Sequence, residues 1–109
     1  MKEERDPELL GSLEEQVMLA VVRTGGDAYG MNVRREIEAV TGRNITIGSV
    51  YATLDRLEAK GLVTSSRTAE SSSRRVFAVT GTGARSLELT RSTRERLWTG
   101  IKLHPFRNG

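Results

Sequence analysis

Residues 41–63 read TGRNITIGSVYATLDRLEAKGLV, and this stretch decides the fold. Within it, Ile47, Val50, Leu54 and Leu57 recur at helical spacing, so one face of a helix over Ile47–Lys60 packs inward. Thr46 is the expected N-cap and Gly61 the residue just past the C-terminus. The outward face carries Gly48, Ser49, Ala52, Arg56 and Lys60. Its first three residues are small and lie near the N-terminus, where a backbone can approach a partner closely and the helix end favours a phosphate. Ser49 can bond a base edge or phosphate, and Arg56 and Lys60 suit phosphates or a guanine edge. Tyr51 lies on the flank. Alone, the pattern also fits an ordinary amphipathic helix with a solvated back.

The flanks add the context. Upstream, a first helix is expected from Ser12, with Ser12-Leu13-Glu14-Glu15 as a capping box and Leu13, Val17, Ala20 and Val21 as its apolar positions. Gly25-Gly26-Asp27 ends it. A second helix is expected over about Tyr29–Val40. Gly30, Val33, Ile37 and Val40 form its stripe, Asn32 and Arg35 point away, and Gly42 serves as its left-handed end. Downstream, residues 62–67 and 74–79 read as two strands around the polar loop 68–73. Thr80 caps a last helix running to about Leu103, which Pro105 stops.

Two helices joined by a short turn form a helix-turn-helix, and a hairpin directly after the second makes it a winged helix. The fold class is therefore mostly α with a small β-hairpin. The expected organisation is a charged N-terminal tail over 1–11, a winged-helix DNA-binding domain over 12–80, a dimerisation helix over 81–104 and a tail over 105–109. Arg67, Arg74 and Arg75 flank the wing tip and suit phosphates or the minor groove. Glu70 in the tip weakens a purely electrostatic role, and charges also blunt exposed strand edges.

Composition narrows the function. The chain has 109 residues and a net charge of +3. Residues 1–60 hold 8 Lys/Arg against 11 Asp/Glu, whereas residues 61–109 hold 9 against 3, so the basic excess lies in the second part. That part is a candidate surface for a phosphate backbone. There is no cysteine and one histidine, His104, to which no role is assigned. Disulfides and thiolate metal sites are excluded, a zinc site is disfavoured, and no cofactor is expected. No apolar run approaches the roughly 20 residues of a membrane span, and the start MKEERDPE lacks the apolar segment of a signal peptide, so no membrane partner and a cytoplasmic location are expected. An enzyme is disfavoured. No Gly-rich phosphate loop is present, and the pairs Glu14/Glu15 and Asp55/Glu58 suit capping and solvation better than acid–base work.

Residues 10–14 (LGSLE), Ala28-Tyr29-Gly30, residues 41–63, residues 74–80 (RRVFAVT) and the Thr80-x-x-Gly83 opening of the last helix together resemble the PadR family of bacterial transcription regulators, over roughly residues 9–100. Without a long two-helix C-terminal extension, the chain is similar to the short subfamily. The resemblance implies a winged helix that dimerises through its terminal helices, usually represses transcription, and in many members releases DNA on binding a small ligand. By position it implies DNA contacts at Tyr29, Ser49, Tyr51 and Arg56, with Arg74 and Arg75 at the wing. The full candidate DNA-binding set adds Asn32, Thr46, Gly48, Ala52, Lys60 and Arg67.

The candidate dimer interface is Leu13, Val17, Leu87, Arg91, Arg94, Leu97, Trp98 and Ile101. Ala84, Leu87, Trp98 and Ile101 share a seven-residue seam, which Arg91 and Arg94 interrupt. Two arginines are costly in a dry interface unless paired, and they fit a polar gap or an acidic ligand instead. Trp98 is a candidate stacking surface for a small-molecule effector, although packing is the commoner role of such a residue. The expected partners are thus double-stranded DNA, a second copy and a small effector. The alternative is a winged-helix protein-interaction module that reads no DNA.

Overall fold

The computed structural model describes residues 6–67 and 74–104. Helix α1 spans Ser12–Thr24, α2 Gly30–Thr41 and α3 Ile47–Ala59. Strands β1 (Val63–Arg67) and β2 (Arg75–Val79) follow, and α4 spans Gly81–Trp98. A short 3-10 turn, Gly25–Asp27, joins α1 to α2. The wing tip at 68–73, with Glu70, and the terminal Pro105 lie outside the described residues.

Helix α3 is bounded as its local sequence dictates. Thr46 Oγ1 accepts from Ser49 N–H at 3.1 Å. At the other end Gly61 takes a φ of 78°. Leu62 N–H bonds Leu57 O at 2.9 Å and Gly61 N–H bonds Glu58 O at 3.0 Å. This double bond pattern satisfies the last helical carbonyls and turns the chain directly into β1.

The core is built where three helices and the hairpin converge. Val17, Met18 and Val21 of α1, Val33 and Ile37 of α2, and Val50, Leu54 and Leu57 of α3 pack with Ala28, Leu62, Val63 and Phe77. The strands are antiparallel, from Val63 opposite Val79 to Arg67 opposite Arg75. Phe77 N–H reaches Ala28 O at 2.8 Å, tying the free edge of β2 to the α1–α2 connection. Between α2 and α3, Gly42 adopts φ 71°. The Glu38 carboxylate accepts from Ile45 N–H at 3.0 Å. That amide bond, with Arg34 beside it, outweighs desolvation and holds the Glu38 carboxyl below its usual pKa. The helix-turn-helix angle is thereby pinned from within α2.

Several expectations need correction. Gly11, not Ser12, is the N-cap of α1. Having no side chain, it donates its N–H to Glu14 Oε1 at 3.0 Å, so the acidic half of the capping box forms one residue early. Val40 is 59% exposed and leaves the stripe, which holds Gly30, Val33 and Ile37. Helix α4 ends at Trp98 rather than near Leu103: Thr99 is extended at ψ 127° and Gly100 turns left-handed. Finally, residues 8–10 are docked. Glu8 N–H donates to Ser86 Oγ and Leu10 N–H to Thr90 Oγ1, both at 3.0 Å, which explains why α4 buries two hydroxyl residues.

Candidate nucleic-acid interface

The first turns of α3 present a small, polar, uncovered surface. Gly48, Ser49 and Ala52 are exposed. A β-carbon at Gly48 would meet nothing within 4 Å. Thr46 Oγ1 donates to Ser49 Oγ at 3.0 Å, so the Ser49 hydroxyl keeps its own proton for another acceptor. Arg56 is exposed further along and makes one long contact, 3.4 Å, to Thr53 Oγ1.

Beside this surface, three elements meet through aromatic rings. The Tyr51 ring lies directly over Gly30, where a β-carbon would fall inside ring-contact distance, 2.8 Å from Cε2. Gly30 opens α2, and Tyr29 before it is the extended N-cap. The Arg74 guanidinium, at the root of the wing, sits 4.4 Å from the Tyr29 ring centroid. Such stacking orients a cation without neutralising it. Tyr51 thus seats α3 on the start of α2, and Tyr29 at that same start receives Arg74 from the root of the wing. Asn32 is on the adjoining turn of α2, with Nδ2 donating to Asp27 O at 3.0 Å and Oδ1 accepting from Arg35 at 3.3 Å. Arg67, at the end of β1, is exposed.

Two basic candidates are directed elsewhere. Lys60 Nζ donates to Glu14 Oε2 at 2.9 Å and to Glu8 Oε1 at 3.3 Å. The Glu14 bond, opposed by desolvation and aided by Glu8, holds the Lys60 ammonium above its usual pKa. Burial pushes Glu14 up, but Lys60 and the Gly11 N–H overcome it and its carboxyl lies below the usual value. Arg75 donates to Asp55 Oδ1 at 3.0 Å and Glu58 Oε1 at 2.7 Å. Desolvation there is likewise outweighed, and the guanidinium pKa is raised. Helical periodicity assigned Lys60 to the outward face because it contains no information about where α1 begins.

The dimer candidates also divide. Val17 is fully buried in the core and offers no surface to a second copy. Leu13 and Leu87 are half-buried against that core. Arg94 donates to both oxygens of Glu15, at 2.9 and 2.8 Å, and Arg91 to Glu95 at 3.1 Å, so the two arginines of the seam have carboxylate partners. They line a groove of about 270 Å³ with Glu15, Leu19, Leu87 and Glu88. Leu97, Trp98 and Ile101 are 73%, 56% and 52% exposed and line an open apolar depression with Leu103. His104 is exposed.

The sequence reading missed Gly30 as a seat for Tyr51, the carboxylates Asp55 and Glu58 as holders of the wing, and Ser86 and Thr90 as acceptors for the N-terminal segment. An i,i+3 acidic pair on a helix followed by an arginine-bearing hairpin was the available signal for the second of these. Among the described residues, no helix is long and apolar enough to cross a membrane, and no group of three or more His, Cys, Asp or Glu is placed to hold a metal.

Comparison with known proteins bears on this arrangement. RosR of H. salinarum matches at a TM-score of 0.69 and 22% identity, over 85% of this chain and 81% of that one. F93 from STIV, described as a winged-helix DNA-binding protein, matches at 0.70 and 15%, over 87% of this chain and 100% of that one. BpsR of Bordetella bronchiseptica, whose DNA binding is described as regulated by 6-hydroxynicotinic acid, matches at 0.64 and 18%, over 85% and 68%. These likenesses establish the winged-helix fold. A search of curated proteins found no match. The model of the transcriptional regulator PadR-like family matches residues 18–89, from within α1 to within α4. The chain belongs to the PadR-like family, whose members are transcription regulators and not enzymes.

Proposed function

We propose that this PadR-like regulator is a sequence-specific DNA-binding protein that acts in the cytoplasm as a dimeric repressor. The observation that carries the reading is the joined surface of α3 and the wing. Gly48, Ser49 and Ala52 are uncovered at the α3 N-terminus, Asp55 and Glu58 of the same helix hold the wing through Arg75, and the neighbouring Arg74 is held on Tyr29. Base edges are read by the small N-terminal residues of α3, which let the helix backbone enter the major groove. Tyr29, Thr46, Tyr51, Arg56, Arg67 and Arg74 fix the register on phosphates. Two copies related by a two-fold axis read a palindrome whose half-sites lie about 34 Å apart. The exposed apolar end of α4 supports the dimer. Trp98, in its open depression, is the proposed contact for a small effector that releases DNA, by analogy with the regulation described for BpsR.

The test is recovery of preferred DNA from a random pool, followed by a salt titration. With Lys60 and Arg75 paired internally, a dimer is expected to give a log–log slope of about −4 to −6, at roughly 0.9 per phosphate neutralised. The recovered sites should be palindromic. Absence of binding at low salt, or a flat slope, would sink the reading.

A further inference from the structure

Arg75 reads from sequence as one of three equivalent wing arginines, but its surroundings set it apart. Its guanidinium forks between two carboxylates of α3, Asp55 at 3.0 Å and Glu58 at 2.7 Å, and lies 4.8 Å from the Phe77 ring centroid. Glu58 uses its other oxygen on the hairpin as well, accepting from Ser65 N–H at 3.2 Å and Ser65 Oγ at 2.8 Å. One α3 carboxylate therefore holds both strands of the wing, β1 through Ser65 and β2 through Arg75. The pairing also resolves two local charge problems. Arg67 faces Arg75 directly across the ladder, and like charges in such a pair repel. Asp55 is 60% exposed on a helix meant to approach phosphates, where an uncompensated carboxylate would oppose binding. Arg75 answers both.

We propose that Arg75 is a positioning residue for DNA reading, which locks the wing to α3 through Asp55 and Glu58 so that Arg74 and the α3 N-terminus engage the duplex as one rigid unit. This rests on the DNA-binding reading above for its consequence, but the lock itself exists in the free protein. Arg75 contributes orientation, and Arg74 contributes a phosphate contact.

The experiment compares Arg75→Ala, Arg75→Lys and Arg74→Ala in the full chain, with two readouts. The first is amide hydrogen exchange of the hairpin in the free protein. Arg75→Ala should speed exchange at Ser65 and neighbouring hairpin amides by about three- to tenfold, and Arg75→Lys should restore part of the protection. The second is DNA affinity against salt. Arg75→Ala should weaken binding by about tenfold with a slope reduced much less than in Arg74→Ala, its electrostatic effect being limited to uncovering Asp55, whereas Arg74→Ala should reduce the slope magnitude by about 0.9 per half-site. Unchanged exchange in Arg75→Ala overturns the lock, and a slope reduced as much as in Arg74→Ala overturns the positioning role by making Arg75 a phosphate contact. If the wild type binds no DNA, the function fails, while the exchange arm still decides whether Arg75 locks the wing.

Discussion

Gly30 and Gly83 are both buried helical glycines, yet the atoms facing them make them differ. At Gly83 a β-carbon would strike the Leu62 carbonyl and lie 2.9 Å from Val79 Cγ1. The Leu62 carbonyl also accepts Thr80 N–H at 3.1 Å, and its residue belongs to the turn that closes α3. Backbone fixed at both ends cannot retreat. Gly83→Ala is therefore expected to destabilise the protein by about 2–3 kcal/mol, within the range for overpacking, and to lower its Tm by about 10 °C. At Gly30 the obstacle is the Tyr51 ring, which is already 37% exposed and can swing outward. Gly30→Ala should change stability by less than about 1 kcal/mol, but it displaces the Tyr51 ring from its seat at the start of α2 and should weaken DNA binding by about tenfold. Parallel urea titrations and DNA titrations of the two variants check the contrast. Equal losses of stability would show that Tyr51 is as immovable as the Leu62 backbone.

The elements that were legible in the sequence are those whose causes are local. Thr46 and Gly61 bound α3 through contacts three to five residues away, and Thr80 caps α4 by accepting Gly83 N–H at 3.0 Å. What was not legible depends on distant partners. Arg75 meets Asp55 across 20 positions, and Glu8 and Leu10 meet Ser86 and Thr90 across 78 and 80. No periodicity encodes such pairings, so helical spacing groups Lys60 with Arg56 although it closes on Glu14, 46 positions away. That clamp connects the C-terminal end of α3 to the start of α1 and makes a pH-dependent contribution. Because the folded Glu14 carboxyl titrates below its usual value of 4.5, its stabilisation is fully present above pH 4.5. It is lost as pH falls from there through the lowered folded value. Glu14→Gln should thus reduce stability at neutral pH and flatten the fall in Tm on acidification below 4.5. A Tm-versus-pH profile parallel to wild type would remove Glu14 from that role.

At the scale of the whole molecule, the helix that departs furthest from the core is α4. Its buried residues, Gly83, Ser86 and Thr90, all lie in its first ten positions, and residues 94–104 are exposed throughout. The molecule is an elongated, flattened body of 59 × 40 × 20 Å. Leu97, Trp98, Ile101 and Leu103 cluster at this projecting end, where they contribute nothing to the core. Burying four such side chains against a second copy yields about 6–12 kcal/mol per protomer before association costs of about 4–15 kcal/mol, so the patch can support a dimer and two substitutions can abolish it. The chain has a single tryptophan, so its emission reports this site alone. On concentration from nanomolar to micromolar, the wild type is expected to pass from monomer to dimer in sedimentation velocity, with a blue shift as Trp98 leaves water. Leu97→Glu combined with Ile101→Glu should hold the protein monomeric and its emission red, with thermal stability near that of the wild-type monomer because no core contact changes. The same variant should bind an isolated half-site as the wild type does and lose the preference for a palindrome. A doubly substituted chain that still dimerises would move the interface to the groove of Glu15, Leu87, Arg91 and Arg94, where ion pairs rather than apolar area would have to hold it.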